Sequence, residues 1–235
     1  MDKEQKISRQ SLLDGQIKQL ALERPGVIDL MPDDERERIV AETIANAPDK
    51  ADFWVFAYGS LIWNPAIEFD AQCRCSIQGF HRSFCFWTML GRGSEEQPGL
   101  MMGLEPGGSC EGIAYRIPFE ALTVELDILY RREMMSNVYN PTWVEASCID
   151  DQPNKIPVLS FVVDPENNRF CGTLDEHTTV STLSVAEGPM GRNCDYLFQL
   201  VDHLETLGFN DPVMTDLANK VRAYQSGTNL SLIHI

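Results

Sequence analysis

The hydrophobic pattern divides the first part of the chain into helices followed by a buried strand. Apolar residues recur at helical spacing over 8–23 and 33–47, and Pro25-Gly26 separates the two segments. At Phe53 the pattern changes to a dense apolar run that ends at Gly59-Ser60. Such a run predicts a fully buried strand that enters a tight turn.

Several short strands are predicted after this first one, with turn-forming residues between them. The predicted strands cover 73–78, 80–89, 99–105, 110–117, 139–148 and 156–163. The predicted turns are Gly79, Gly91-Arg92-Gly93, Pro106-Gly107-Gly108-Ser109 and the segment 150–154. Many short strands joined by small turns predict a closed or nearly closed antiparallel sheet.

Helical spacing returns once within the strands and again at the end of the chain. The predicted helices cover 119–134, 175–187, 194–207 and 211–225. We therefore predict an α+β protein with three parts. They are a helical N-terminal extension over 1–50, one domain over 51–225 and a tail over 226–235.

Composition and charge limit the classes of function. The chain has 235 residues, and its 19 basic and 35 acidic residues give a net charge of −16. Such a surface repels phosphate backbones and anionic lipid, so we expect no nucleic-acid and no membrane partner. The first six residues are polar with no apolar segment behind them, and no apolar run approaches the roughly 20 residues that span a bilayer. We expect a cytoplasmic protein.

The seven cysteines favour reduced thiols over a metal site. They include no CxxC pair, and the only close pair is Cys73 and Cys75. On a strand these two side chains point to the same face, but one pair makes no zinc site without further ligands. We expect reduced, mostly buried thiols and no bound metal.

The turn after the first strand is a candidate binding site. Glycine lets the backbone bend sharply and lie close to a ligand, so the amides of Gly59, Ser60 and Leu61 can form a small anion-binding nest. The alternative is a turn that only ends the strand.

Glu133 is a candidate catalytic residue because of its place on the mid-chain helix. Leu126, Leu129 and Tyr130 define an apolar stripe, and Glu133 falls at its next helical step. A carboxylate in line with a buried face is costly unless it has a partner or a function, and burial raises its pKa as a general base near neutral pH requires. The alternative is a glutamate on a solvated face.

Two glycine-rich segments carry weaker signals. One is Gly91-Arg92-Gly93-Ser94 with Pro98-Gly99, and the other is 188–197. Either segment can be a plain connector, and neither has the Lys-Ser/Thr pair of a phosphate-binding P-loop. The chain also has no G-x-S-x-G and no H-E-x-x-H motif.

Taken in order, a set of short motifs resembles the ChaC family of γ-glutamyl cyclotransferases. The motifs are Phe56-Ala57-Tyr58-Gly59-Ser60-Leu61-Ile62-Trp63, Gly79-Phe80-His81-Arg82-Ser83-Phe84, Arg92-Gly93-Ser94, Pro98-Gly99, Gly112-Ile113-Ala114-Tyr115, and Arg132-Glu133 followed by Tyr139. Each motif is weak by itself, but their order and spacing match from about residue 53 to 207. Ala57 departs from the family pattern, because many relatives carry glycine there.

The resemblance implies a fold and an activity. The fold is a small mixed, mostly antiparallel β-barrel with flanking helices. The activity is the cleavage of glutathione, a small-molecule substrate, into 5-oxoproline and Cys-Gly. The reaction needs no cofactor and no metal, because the substrate's own amine is the nucleophile. We expect a monomer or a weak dimer.

The resemblance also assigns roles to residues. Glu133 is the implied acid/base, and the turn of Tyr58, Gly59, Ser60 and Leu61 is implied to hold the γ-glutamyl group. Tyr139 and Tyr196 match family tyrosines near the pocket. Because the protein is acidic overall, Arg92 or another local cation is expected to receive the substrate's carboxylates.

Two alternatives remain open from the sequence. One is the same chemistry on another γ-glutamyl amino acid or amine, since the sequence does not show which residues recognise Cys-Gly. The other is a catalytically idle protein that binds a ligand or modulates a partner on this fold, against which the presence of Glu133 argues.

Overall fold

A computed structural model gives the fold and describes residues 7–150 and 154–227. The polar start over 1–6, most of the predicted 150–154 turn and most of the predicted tail lie outside these residues. The chain forms two compact units. The barrel unit comprises Ile7–Ser83 and Gly103–Phe170, and the helical unit comprises Phe84–Met102 and 171–227. The predicted division at residue 50 stays a prediction.

A closed barrel of five strands forms the centre of the barrel unit. In chain order the strands are β1 (Phe53–Ala57), β2 (Ala71–Thr88), β3 (Gly99–Ile117), β4 (Tyr139–Cys148) and β5 (Lys155–Val163). Around the barrel they follow the order β1-β3-β2-β4-β5. The β1–β3, β2–β4 and β4–β5 pairs are antiparallel, and β1 pairs with β5 in parallel. The predicted mixed, mostly antiparallel barrel is confirmed.

The two longest strands correct the sequence prediction. Gly79 and the segment 106–109 were predicted to be turns between strands, but β2 and β3 each continue through them. Gly79 has φ of +86°, and Gly107 and Gly108 have φ of +104° and +70°. Glycine adopts these angles without a steric penalty, so each strand bends there and continues.

Four α-helices lie in the described residues of the barrel unit. They are α1 (Arg9–Leu13), α2 (Gln16–Leu22), α3 (Asp33–Ala45) and α4 (Leu122–Glu133). The single helix predicted over 8–23 is therefore wrong, because Gly15 has φ of +68° and ends the first segment. The first part of the predicted mid-chain helix is a short 3-10 helix, Phe119–Ala121, that leads into α4. Helices α1 and α3 pack on α4.

The helical unit contains the three C-terminal helices at nearly the predicted positions. They are α5 (Glu176–Val185), α6 (Asn193–Thr206) and α7 (Pro212–Gln225), which pack on one another. A two-stranded ribbon, β6 (Glu187–Gly188) and β7 (Gly191–Arg192), joins α5 to α6. None of the helices in the described parts of the chain is long and apolar enough to cross a membrane.

Candidate active site

The turn after β1 is anchored to the barrel through Tyr58. All five residues of β1 are buried, as predicted, and so is Tyr58. The Tyr58 hydroxyl donates a hydrogen bond of 2.7 Å to the Phe161 carbonyl in β5. From the other side, Nη1 of the buried Arg82 donates to the Tyr58 carbonyl at 2.9 Å. The phenol thus anchors the turn, and the predicted substrate-binding role of Tyr58 stays a prediction.

A short 3-10 helix, Ser60–Ile62, comes directly after Gly59. The Ile62 amide donates to the Gly59 carbonyl at 2.9 Å, and the Asn64 amide donates to the Ser60 carbonyl at 3.0 Å. The first N–H groups of a helix have no acceptor within that helix, and here they come from the residues predicted to form the nest. Substrate binding by the amides of Gly59, Ser60 and Leu61 stays a prediction.

Glu133 is the last residue of α4 and continues its apolar stripe, as predicted. Leu126, Leu129 and Tyr130 are fully buried, and the Glu133 side chain keeps only 15% of its surface exposed. Burial raises the pKa of the Glu133 carboxyl above its ordinary value, and the neighbouring Arg132 partly opposes this rise. A fraction of protonated Glu133 is therefore retained at higher pH than for a solvated glutamate.

Arg132 joins Glu133 to the turn. Its Nε lies 3.0 Å from Glu133 Oε1, and its Nη2 donates to Ser60 Oγ at 2.8 Å. Its Nη1 donates to the Asn64 carbonyl. The Arg132 side chain is only 4% exposed. One buried guanidinium therefore brings together the predicted acid/base and the predicted binding turn.

Arg132 belongs to the Arg132-Glu133 motif but was given no role in the site, although the chain contains a signal for one. Arg132 lies four residues after Ile128 and three after Leu129, and both of these are fully buried. The spacing argument that identified Glu133 therefore applies to Arg132 as well. The adjacent Arg131 differs, because its Nε pairs with Asp127 of the same helix at 2.7 Å.

Tyr139 lies near Tyr58 through a shared neighbour. It is the first residue of β4 and is buried, and its ring centroid lies 6.4 Å from that of Phe161. The carbonyl of Phe161 accepts the Tyr58 hydrogen bond, and its ring also meets Tyr130 of α4 edge-on at 5.6 Å. Phe161 thus contacts Tyr58, Tyr139 and α4, the helix that ends in Glu133.

Arg169, which follows β5, is a second cation that was not predicted from the sequence. Burial lowers the pKa of Arg169, and Tyr139 is among the groups that act on it in the opposite direction. Arg169 Nη2 donates to Ser136 Oγ, in the segment between α4 and β4. Its position after β5 gave no pattern in the sequence, because only folding brings it to Ser136, 33 residues earlier in the chain.

The N-terminal helices hold α4 from its outer side. Arg9 of α1 forms a two-pronged pair with Glu125, with Nη2 at 2.7 Å from Oε1, although Glu125 is 1% exposed. The Tyr130 hydroxyl and Thr43 Oγ1 of α3 share a hydrogen bond of 2.6 Å. Arg9 and Thr43 therefore hold α4 in place, and neither residue belongs to the family motifs found in the sequence.

The other two predicted site residues, Arg92 and Tyr196, lie in the helical unit. Arg92 Nη1 donates to the Arg192 carbonyl at 2.9 Å, just before α6 begins. Tyr196 is buried in α6, and its ring meets Phe84 edge-on at a centroid distance of 6.0 Å. The structure thus places Arg92 beside the start of the helix that carries Tyr196, and their binding roles stay predictions.

The two glycine-rich segments of the sequence pack against each other in this unit. The Met190 amide donates to the Gly91 carbonyl at 2.9 Å. A Cβ on Gly188 would lie 2.4 Å from the carbonyl oxygens of Gly91 and Gly93, so only glycine fits there. The fully buried Asn193 also accepts from the Leu100 amide at 2.7 Å and donates to its carbonyl at 2.8 Å. These segments are therefore not independent connectors.

Comparison with known proteins adds an independent line of evidence. The model of the family described as ChaC-like protein matches residues 53–224. The chain is 38% identical over 189 residues to the glutathione-specific gamma-glutamylcyclotransferase of Escherichia coli (strain K12), covering 80% of this chain and 81% of that protein. It is 34% identical over 177 residues to gamma-glutamylcyclotransferase 2-3 of Arabidopsis thaliana, covering 72% and 88%. A yeast gamma-glutamyl cyclotransferase specific to glutathione has the same fold, with a TM-score of 0.70 at 22% identity over 75% of this chain and 98% of that one.

Proposed function

We propose, since this chain belongs to the ChaC-like protein family, that it is an enzyme that cleaves glutathione by cyclising the γ-glutamyl group. The products are 5-oxoproline and Cys-Gly. All three relatives named above are named as γ-glutamyl cyclotransferases, and the Escherichia coli and yeast proteins are named as specific to glutathione. The Escherichia coli and Arabidopsis proteins match this chain over more than two thirds of its length at 38% and 34% identity.

The observation that carries the assignment of the site is the buried carboxyl of Glu133 beside the turn after β1. Burial raises the pKa of Glu133, which suits a group that must accept a proton and later return it near neutral pH. Arg132 holds that carboxyl and Ser60 Oγ at the same time. A glutamate on a solvated face has neither property.

The substrate supplies its own nucleophile, so the enzyme has to supply mainly the proton transfers. In the proposed first step, Glu133 takes a proton from the substrate's α-ammonium group, and the freed amine attacks the γ-carbonyl carbon of the same molecule. A five-membered ring forms, so the proximity gain is built into the substrate. In the second step Glu133 gives its proton to the departing cysteine nitrogen as the carbon–nitrogen bond breaks. The regenerated carboxylate then takes the remaining extra proton from the ring nitrogen and passes it to the new amine, so the products are the neutral lactam and the ammonium form of Cys-Gly. General acid–base catalysis of this kind contributes roughly 100- to 10,000-fold.

The remaining predicted residues fit the binding part of this proposal. The amides of Gly59, Ser60 and Leu61 are suited to hold a carboxylate or the developing oxyanion, a contact whose loss typically costs about 3 kcal/mol. Tyr58 anchors that turn, and Tyr139 lies beside the same phenylalanine. We include Arg92 and Tyr196 of the helical unit as substrate contacts.

Two further parts of the proposal concern the whole protein. We propose that it acts as a monomer or weak dimer in the cytoplasm. The net charge of −16 supports the absence of nucleic-acid partners, and seven scattered cysteines without a CxxC pair are typical of a reducing compartment.

The test is incubation of the purified protein with reduced glutathione, followed by mass detection of 5-oxoproline and Cys-Gly. A parallel incubation with γ-glutamyl-alanine separates the two substrate classes. Turnover of γ-glutamyl-alanine with none of glutathione would replace the proposed substrate with another γ-glutamyl compound. Turnover of neither would favour an idle binding protein.

A further inference from the structure

The barrel unit holds a pair of thiols that the proposed reaction does not use. Cys73 in β2 and Cys148 in β4 have their Sγ atoms 3.0 Å apart. Cys75 lies directly opposite Cys148 in the strand pairing, so Cys73 is the diagonal neighbour of Cys148 on the same face of the sheet. The short distance therefore follows from strand register and not from two flexible loops.

The backbone around both thiols is fixed by hydrogen bonds. The Ile149 amide donates to the Arg74 carbonyl at 2.8 Å, and the Cys148 amide donates to the Asn154 carbonyl at 3.1 Å. Arg74 Nε also donates to Asp150 Oδ1 at 2.8 Å. A disulfide places its sulfurs about 2.05 Å apart, so bond formation needs a movement of about 1 Å that side-chain rotation can supply.

Exposure separates this pair from the neighbouring thiols. Cys73 and Cys148 are both partly exposed, whereas Cys75 and Cys110 are buried. A hydrogen bond with Cys73, together with burial, raises the pKa of the Cys75 thiol far above its ordinary value, so Cys75 stays protonated and unreactive. Across residues 7–150 and 154–227, no group of three or more His, Cys, Asp or Glu side chains is arranged to hold a metal ion. Cys73 and Cys148 are therefore the accessible pair of thiols in this cluster.

We infer that Cys73 and Cys148 are a site of reversible oxidation, at which a low-molecular-weight disulfide R–S–S–R converts the two thiols into an intramolecular disulfide. One thiolate attacks a sulfur of the external disulfide, forms a mixed disulfide and releases R–SH. The second thiolate attacks the protein sulfur of that mixed disulfide and releases the second R–SH. The two electrons lost by the protein reduce the external disulfide, and the two protons end on the released thiols.

The bond would join β2 to β4 across 75 residues of chain. A cross-link of this span lowers the entropy of the unfolded chain, so the oxidised protein should melt higher by roughly 5 °C or more. Tyr139 and Cys148 are the two ends of β4, so the cross-link lies about 30 Å along the strand from the proposed substrate contact. This inference does not depend on the proposed function.

The test uses the full-length protein and bis(2-hydroxyethyl) disulfide, a probe without a γ-glutamyl group that the proposed activity cannot consume. Mass spectrometry of unreduced peptides should find Cys73 and Cys148 in one cross-linked pair, with the intact mass lower by about 2 Da. The melting temperature should rise and should return to the starting value with dithiothreitol. C148S should instead carry a mixed disulfide on Cys73 with no rise in melting temperature.

C171S is the matched control, because Cys171 is a partly exposed cysteine of the helical unit. It should form the Cys73–Cys148 cross-link like the parent. The inference is overturned by mixed disulfides on both cysteines without a cross-link, by a cross-link that uses Cys75 in place of Cys73, or by thiols that stay unmodified.

Discussion

Arg132 Nε lies 3.0 Å from Glu133 Oε1, and both side chains are largely withdrawn from solvent. Burial favours the protonated form of Glu133, while the guanidinium favours the carboxylate, and burial is the larger of the two effects. The pair therefore keeps the pKa of Glu133 raised but limits how far it rises. A proton acceptor that must also become a donor within one turnover requires this balance.

Replacing Glu133 by glutamine should abolish nearly all turnover. Gln keeps an oxygen that can accept from Arg132 but cannot exchange a proton, so kcat should fall roughly 100- to 10,000-fold. Because that hydrogen bond is kept, the melting temperature should stay within a few degrees of the parent. Steady-state kinetics with glutathione and thermal melting check both expectations.

Glu166→Gln is the control, since Glu166 is exposed and lies outside the site. It should match the parent in both measurements. E133Q activity within tenfold of the parent would rule out the acid/base role.

The pH dependence of kcat/KM should report the carboxyl of Glu133. Glu133 acts first as a base, so activity should fall as the pH drops through its pKa, and this pKa lies above the ordinary glutamate value of about 4.3. Arg132→Met removes the charge that lowers this pKa, so the acidic limb should move to higher pH. Arg132→Lys keeps a charge and should move the limb less.

A shift of the acidic limb would show that Arg132 acts on Glu133. A residue that only supported the fold would lower kcat/KM equally at all pH values. An unmoved limb in Arg132→Met, with the protein still folded by circular dichroism, would contradict the role given to Arg132.

Gly59→Val should reduce activity more than stability. The added side chain would occupy space at the turn that is proposed to lie against the substrate. Gly112→Ala is the contrasting variant and should reduce stability more than activity. Its new Cβ would lie 2.3 Å from the Ala57 carbonyl oxygen inside the sheet. It should therefore lower the melting temperature strongly.

Kinetics and thermal melting of both variants separate the two roles. Normal kinetics with a lowered melting temperature in Gly59→Val would make its turn structural only.

Asn193→Ala should destabilise the helical unit. The change removes both hydrogen bonds to Leu100 and leaves a buried amide and carbonyl without that partner. Each buried group left unsatisfied costs about 1–3 kcal/mol. Urea unfolding should show a loss of about 2–6 kcal/mol for the two groups together. Asn210→Ala, at an exposed position, should show almost none. An unchanged midpoint in Asn193→Ala would mean that water replaces the lost bonds.

Local patterns were enough to predict most elements of this fold. The buried run at Phe53, the strand over 139–148 and the C-terminal helices rest on periodicity and turn chemistry, and the structure confirms them. Gly79 shows the limit of this reasoning. Glycine with positive φ ends many strands, but β2 has neighbours on both sides in the closed barrel, and it continues through the bend.

Sequence motifs predicted the residues of the candidate site but not the contacts between them. Glu133, Arg132 and the turn at Tyr58 all lie within short motifs, but the hydrogen bond that joins Arg132 to Ser60 spans 72 residues of the chain. Arg169 and Phe161 likewise depend on how the barrel closes. Contacts between distant segments leave no periodic trace in one sequence, so they had to come from the structure.

The hydrogen bond from Tyr58 to Phe161 also has a consequence for the order in which the protein folds during synthesis. These residues are 103 positions apart. Tyr58 directly follows β1 and Phe161 lies in β5, and these two strands meet where they pair in parallel. Pairing of such distant segments is slow, since the intervening chain must first lose its freedom. During synthesis the turn after β1 therefore emerges long before it has its anchor. A ribosome-bound chain that ends before β5 should not recognise substrate, so activity itself marks the moment at which the barrel has closed.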